Sequence, residues 1–197
     1  MNNLKAMILS AGGAMAVAGL ILPANAAEQF LVDPAHASVL FSVSHLGFSH
    51  TYGRFNTVEG AITLDAEAPE KSSVVVSIDA ASLDTNHAKR DEHLRGKDFF
   101  DVTQFPTLKY KSTSVTVTGD KKATVIGDLT MHGVTKSVPL EVTLINSGPH
   151  PMDKTKTLAG ISARGTLKRT EFGMGYAAPL LGDEVELIIE VDAIRQP

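Results

Sequence analysis

The chain has no cysteine and no tryptophan, and aromatic residues make up only 6% of its 197 positions. The first absence rules out a disulfide framework, so the fold must be held by its core alone. It also removes the residue that would carry a lipid behind an N-terminal apolar run, which excludes a lipoprotein. A positive surplus is missing too, since 18 Lys and Arg stand against 22 Asp and Glu. Nucleic acid and anionic membrane surfaces are therefore poor partners on electrostatic grounds. Nor does any apolar run reach the roughly 20 residues that a membrane-spanning helix needs.

The longest uncharged run, Ala6 to Leu22, follows a short start whose one positive side chain is Lys5, and precedes Pro23-Ala-Asn-Ala26-Ala27-Glu28. A cationic start, an apolar middle and small residues at Ala24 and Ala26 read as a secretory signal peptide, cut between Ala26 and Ala27. The expectation is a periplasmic product of residues 27–197, one domain with no stable membrane insertion. The glycines of "AGGAMAVAG" (11–19) follow no strand, so they do not form a nucleotide-binding loop.

From Glu28 onward the hydrophobic period is two. "SVLFSVSH" sets Val39, Phe41, Val43 and His45 on one face. "VEGAITL" does the same for Val58, Gly60, Ile62 and Leu64, and "VVVSIDA" for Val74, Val76 and Ile78. "SVPLEVTL" aligns Val138, Leu140, Val142 and Leu144, and "EVELIIEVD" aligns Val185, Leu187, Ile189 and Val191. Strict alternation over many short runs is the pattern of half-buried antiparallel strands. "TGDKK" and "MHGVTK" read as hairpin turns, and 146–156 as the longest polar loop. The runs amount to about eight strands, enough to close a small barrel without exposed edges. Inward faces made mostly of small and β-branched residues favour a barrel that holds a ligand over one filled by its own side chains.

"TNHAKRDEHLRGKDFFDVTQFP" (85–106) breaks the alternation. Asn86 is placed to cap a short helix over 87–95, with Gly96 at its C-terminal stop. His87 and Asp91 lie one turn apart and share a face. Phe99, Phe100, Val102 and Phe105 follow as an apolar anchor. The histidine spacings (His45 with His50, His87 with His93, His36 and His132 alone) match no compact zinc pattern, so no metal is expected. "GISARG" (160–165) misses the hydrolase elbow by one residue and sits in a strand pattern, so no nucleophile is assigned. Asp91, Asp98 and Asp101 lie near one another in sequence, as a carboxylate pair for acid–base work would, but carboxylates on a polar helix are normally solvated and no sequence feature marks them as buried.

Four long segments, "DPAHASVLFSVSHLGFSHTYGRF" (33–55), "LDTNHAKRDEHLRGKDFFDVTQFPTLKYKSTS" (83–114), "GDLTMHGVTKSVPLEVTL" (127–144) and "EVELIIEVDAIRQ" (184–196), resemble the YceI-like family of exported proteins in order and spacing. The resemblance implies an all-β, lipocalin-like, eight-stranded antiparallel barrel with one short helix. Its elongated apolar interior would hold a long isoprenoid, such as a quinone tail, or a similar amphiphilic lipid. It implies a periplasmic binding protein tied to stress responses, with no cofactor besides that lipid. One departure is Glu171, where the resemblance leads one to expect Asp before Phe172. The expected tunnel wall is Phe41, Val43, Phe55, Ile78, Leu129 and Phe172. His45, Tyr52 and Arg54 are expected at the headgroup end, and Phe99, Phe100 and Phe105 as closure. Alternatives are an enzyme acting on a prenyl lipid through His45 or the His87/Asp91 pair, and a ligand-free barrel serving a protein partner. A homodimer is the default assembly, because two-fold dimers are the commonest oligomers.

Overall fold

The computed structural model describes residues 27–197, so the expected signal peptide, residues 1–26, lies outside the described residues. The strands are β1 (Glu28–His45), β2 (Ser49–Phe55), β3 (Val58–Leu64), β4 (Ser73–Asp79) and β5 (Leu83–Asp84), followed by the helix α1 (Ala88–Arg95). After it come β6 (Thr107–Gly119), β7 (Lys122–Met131), β8 (Val134–Pro149), β9 (Thr157–Lys168) and β10 (Leu181–Arg195). Every pairing is antiparallel, and β10 pairs with β1 to close the sheet on itself. The ring has eight positions, because β2 and β3 run end to end along the same edge of β1, and β5 extends β4 in the same way. Among the described residues, no helix is long and apolar enough to cross a membrane.

The alternation of side chains sorts directly into inside and outside. All five faces read from the sequence turn inward, with Gly60 the one position that does not reach the interior space. The first strand holds a surprise. Its register with β10 shifts between Val32 and Ala37, where Asp33-Pro-Ala-His36 bulges out. The bulge is stitched by Asp33, whose side chain accepts from the Ala35 amide at 3.0 Å and meets His36 Nδ1 at 2.8 Å. An odd number of extra residues reverses parity, so Glu28, Phe30 and Val32 point inward on even numbers while Val39, Phe41 and Val43 do so on odd ones. Phe30 and Val32 then pack with Ile62, Ala159 and Ala193 as a small separate core near the chain ends.

The turns follow their residues. His132 (φ 51°) and Gly133 (φ 74°) form a two-residue connection between Met131 and Val134, where both central positions need the left-handed region. Asp120 and Lys121 connect Gly119 to Lys122. The expected long loop at 146–156 is shorter than the sequence indicates, because Asn146–Pro149 pair with Thr157–Gly160 and only 150–156 are left to turn. Gly127 is required by a close approach. The Tyr110 ring lies against its backbone, so a Cβ there would run into the ring. The Tyr110 hydroxyl lies 3.1 Å from both the Val125 and Val138 carbonyl oxygens and donates between them. Burial, with Asp128 nearby, pushes that hydroxyl up to about 12, so it stays a donor at any physiological pH. Gly127→Ala is expected to cost about 1–3 kcal/mol by displacing the ring from these acceptors. Urea denaturation of the variant beside the parent checks it, and an unchanged midpoint would show that the ring moves freely.

Candidate functional site

The barrel encloses a cavity of about 1040 Å³, at the upper end of the range for small-molecule sites. It runs the whole length of the fold, since β1 alone contributes wall residues from Glu28 to His45. The wall is built from the inward faces of the strands and is mostly apolar. Val76, Val142, Leu187 and Ile189 lie on this wall and are only half-buried, although they face the middle of the barrel. They pack against the core cluster on one side and border the cavity on the other.

The end that carries α1 is closed by polar bonds. Asp91 is buried, and its Oδ1 accepts from the Thr85 amide at 2.8 Å and the Thr85 hydroxyl at 2.5 Å. Arg90 Nε donates to Thr85 Oγ1 and its Nη2 to the Thr85 carbonyl, both at 2.7 Å. Arg95 donates from Nε to the Ala81 carbonyl at 2.9 Å and from Nη2 to that of Leu83. Across the mouth, Arg169 is only 5% exposed. It donates to the carbonyls of Met174 (2.5 Å), Tyr176 (3.0 Å), Leu181 (2.9 Å) and Gly182 (2.8 Å). These bonds gather the 174–182 segment over the barrel end. The two sides meet in three edge-on rings, His93, Phe99 and Tyr176, with centroids 5.1–5.3 Å apart. All three rings line the cavity.

Outside the barrel, against β2, lies a second, shallower depression. Most of the residues around it are of polar type, among them Ser49, His50, Tyr52, Arg54, Asp84 and Asn86, although much of the surface they present is apolar. His45, Thr51 and Arg90 line both the depression and the cavity. Among the described residues no three His, Asp or Glu side chains gather as a metal site would need.

The sequence model of the YceI-like domain matches residues 30–193. The chain belongs to the YceI-like family. Curated relatives are named UPF0312 proteins. One from Pseudomonas aeruginosa is 40% identical over 95% of this chain and 96% of its own. Another, from Yersinia pestis, is 39% identical over 99% of both. Among solved structures, the Campylobacter jejuni YceI protein is 28% identical, covers 78% of this chain and 90% of its own, and superposes with a TM-score of 0.70. Burkholderia cenocepacia BcnA reaches a TM-score of 0.74 at 24% identity, with 82% of this chain and 98% of its own covered. A domain from Saccharophagus degradans, described as polyisoprenoid binding, reaches 0.60 at 15% identity over 87% of this chain and 99% of its own. The last two likenesses show the fold alone.

Within this YceI-like barrel, Phe41, Val43, Phe55, Ile78 and Leu129 line the cavity. Phe172 does not, and is instead packed at 1% exposure in the core. It falls in the 3-10 turn Arg169–Phe172, beyond the end of β9, where strand parity no longer decides direction. Phe99 and Phe100 reach the cavity, while Phe105 packs against the His132 ring at 4.8 Å and beside Gly133. His45 sits on the cavity rim, but Tyr52 and Arg54 lie on the outer face of β2, because Thr51 and Phe55 take the inner positions of the same strand. The helix cap also differs from expectation. His87 is the N-cap, its Nδ1 accepting from the Arg90 amide at 3.2 Å, while Asn86 takes a left-handed φ of 60°. Gly96 ends the helix in extended rather than left-handed backbone. His87 caps the helix and Asp91 is bound to Thr85, and no hydrogen bond joins the two. The sequence reading missed Arg169, Arg90 and Tyr176, for which only the polar character of their segments gave any signal.

Burial works to raise the Asp91 carboxyl, but the bonds from Thr85 and the charges of Arg95 and Arg90 outweigh it and hold it below the ordinary value of 3.8. A carboxyl lowered on folding stabilises fully above its unfolded value and loses that contribution as pH falls through the folded one. The parent should therefore lose stability on acidification below about pH 4 more steeply than Asp91→Asn. Thermal melts of both proteins between neutral pH and pH 3 check this, and parallel curves would refute it.

Proposed function

We propose that this protein is an exported, non-enzymatic binding protein that holds one long isoprenoid-type lipid inside its barrel, as a carrier, store or protectant in the periplasm. The observation that carries this reading is an apolar inner wall that borders an open cavity. Apolar side chains at the centre of a folded domain ordinarily bury one another, yet here Val76, Val142, Leu187 and Ile189 face open space. A single apolar chain threaded along the barrel covers them, and each Å² removed from water contributes about 25 cal/mol. A branched prenyl chain suits walls of Val, Ile and Leu, and it supplies no polar group that the middle of the cavity would have to satisfy. The fold shared with a polyisoprenoid binding domain and the secretory pattern of residues 1–26 support the same reading.

Native mass spectrometry of protein isolated from the periplasm, followed by denaturation, should release a defined prenyl lipid. Protein that stays bare even after incubation with a prenyl alcohol would instead indicate a barrel with no such ligand. A second expectation concerns the width of the cavity. Val142→Trp, in mid-wall, should fold like the parent but lower prenyl-alcohol affinity by about tenfold or more, because the indole fills the space that the chain needs. Isothermal titration of parent and variant decides it, and equal affinities would place the ligand elsewhere.

A further inference from the structure

We propose that the depression outside β2 is a headgroup site for an oxyanion, a phosphate or carboxylate, borne by the lipid whose chain lies in the barrel. This rests on the reading of the cavity given above. The decisive observation is shared walls: His45, Thr51 and Arg90 line both spaces. The two spaces adjoin at this sill, beside β2 and the start of α1. A chain lying inside with its head outside must cross that sill.

The charge on the outer side selects the head. The chain has six arginines. Arg95 is bound to the carbonyls of Ala81 and Leu83, Arg164 to Glu190 and Arg195 to Glu28. Arg169 spends four N–H groups on backbone carbonyls, which leaves it little to offer a ligand. Arg90 is held by two bonds to Thr85. Among the described residues, only the Arg54 guanidinium makes no hydrogen bond or ion pair, and it stands in the same depression as Arg90, His45 and His50. One carboxylate faces them, Asp84. Its Oδ1 accepts from the Asn86 amide at 2.7 Å and its Oδ2 from Asn56 at 3.4 Å. Guanidinium forks match the oxygens of phosphate and carboxylate. The opposite end of the cavity carries mixed charge, with Glu28, Asp65 and Asp120 beside Lys121 and Lys122, and Glu28 is paired with Arg195. An unpaired anion in the apolar middle is excluded by its desolvation.

The test compares three probes on the folded protein by isothermal titration at low ionic strength: geranylgeranyl phosphate, geranylgeraniol and inorganic phosphate. The prenyl phosphate should bind about tenfold or more tightly than the alcohol of the same chain, since the head adds charge-assisted bonds. That ratio should fall towards one in Arg54→Gln and in Arg90→Gln, with the alcohol as the internal reference for each variant. Arg54 makes no contact that holds the fold, so its variant remains informative if Arg90→Gln loosens the helix. Equal binding of phosphate and alcohol by the parent would overturn the proposal, as would a ratio that survives Arg54→Gln. Inorganic phosphate binding as tightly as the prenyl phosphate would assign the site to a free anion and overturn the lipid headgroup. If neither prenyl probe binds, the lipid reading of the cavity fails and this one with it.

Discussion

Everything in this molecule depends on the pairing of its first strand with its last. β1 meets β10 from Phe30 opposite Arg195 to His45 opposite Leu181, and that ladder turns an open sheet into a closed ring. Closure removes the unpaired edges that an isolated sheet would present. It also converts the apolar face of the sheet from a surface into an interior. The contacts responsible lie at the far ends of the chain, so they are costly in loop entropy and are met only when the whole barrel forms.

A ring of eight positions leaves its two ends to be managed differently. Near the termini, Phe30, Val32, Ile62, Ala159 and Ala193 pack as apolar neighbours. At the other end the closure is polar. Arg169 gathers four carbonyls, and the Thr85–Asp91–Arg90 bonds fix a helix whose only buried residue is Asp91. That explains why residues 85–98 are so heavily charged. A cover that buries little apolar surface must be held by directional bonds, and segments held in that way open at lower free energy than the barrel wall. The stretch is structural in origin, yet it also supplies Arg90 to the sill between the cavity and the outer depression.

The wall of the cavity was legible because strand alternation is a local rule. Phe41, Val43, Ile78 and Leu129 follow from the period of two and a closed barrel. Phe172 and Phe105 were misread because they lie in turns, where an aromatic side chain goes wherever packing takes it. Tyr52 and Arg54 were placed at the rim by their neighbourhood in sequence, while the parity of β2 puts them outside. The inward turn of Phe30 and Val32 required the bulge at 33–36, which Pro34 marks as an irregular point in the strand without giving the number of residues looped out.

The sequence by itself determined the class of fold and the faces of the strands. These rest on properties that each segment carries alone, namely side-chain alternation, turn residues and composition. Only the tertiary structure decided that the interior remains open, that Arg169 is consumed by backbone carbonyls, and that His45, Thr51 and Arg90 share one sill. Those outcomes depend on distances between residues far apart in the chain. They are set by the circumference of the closed sheet and by the path of the 85–106 and 169–180 segments across its end.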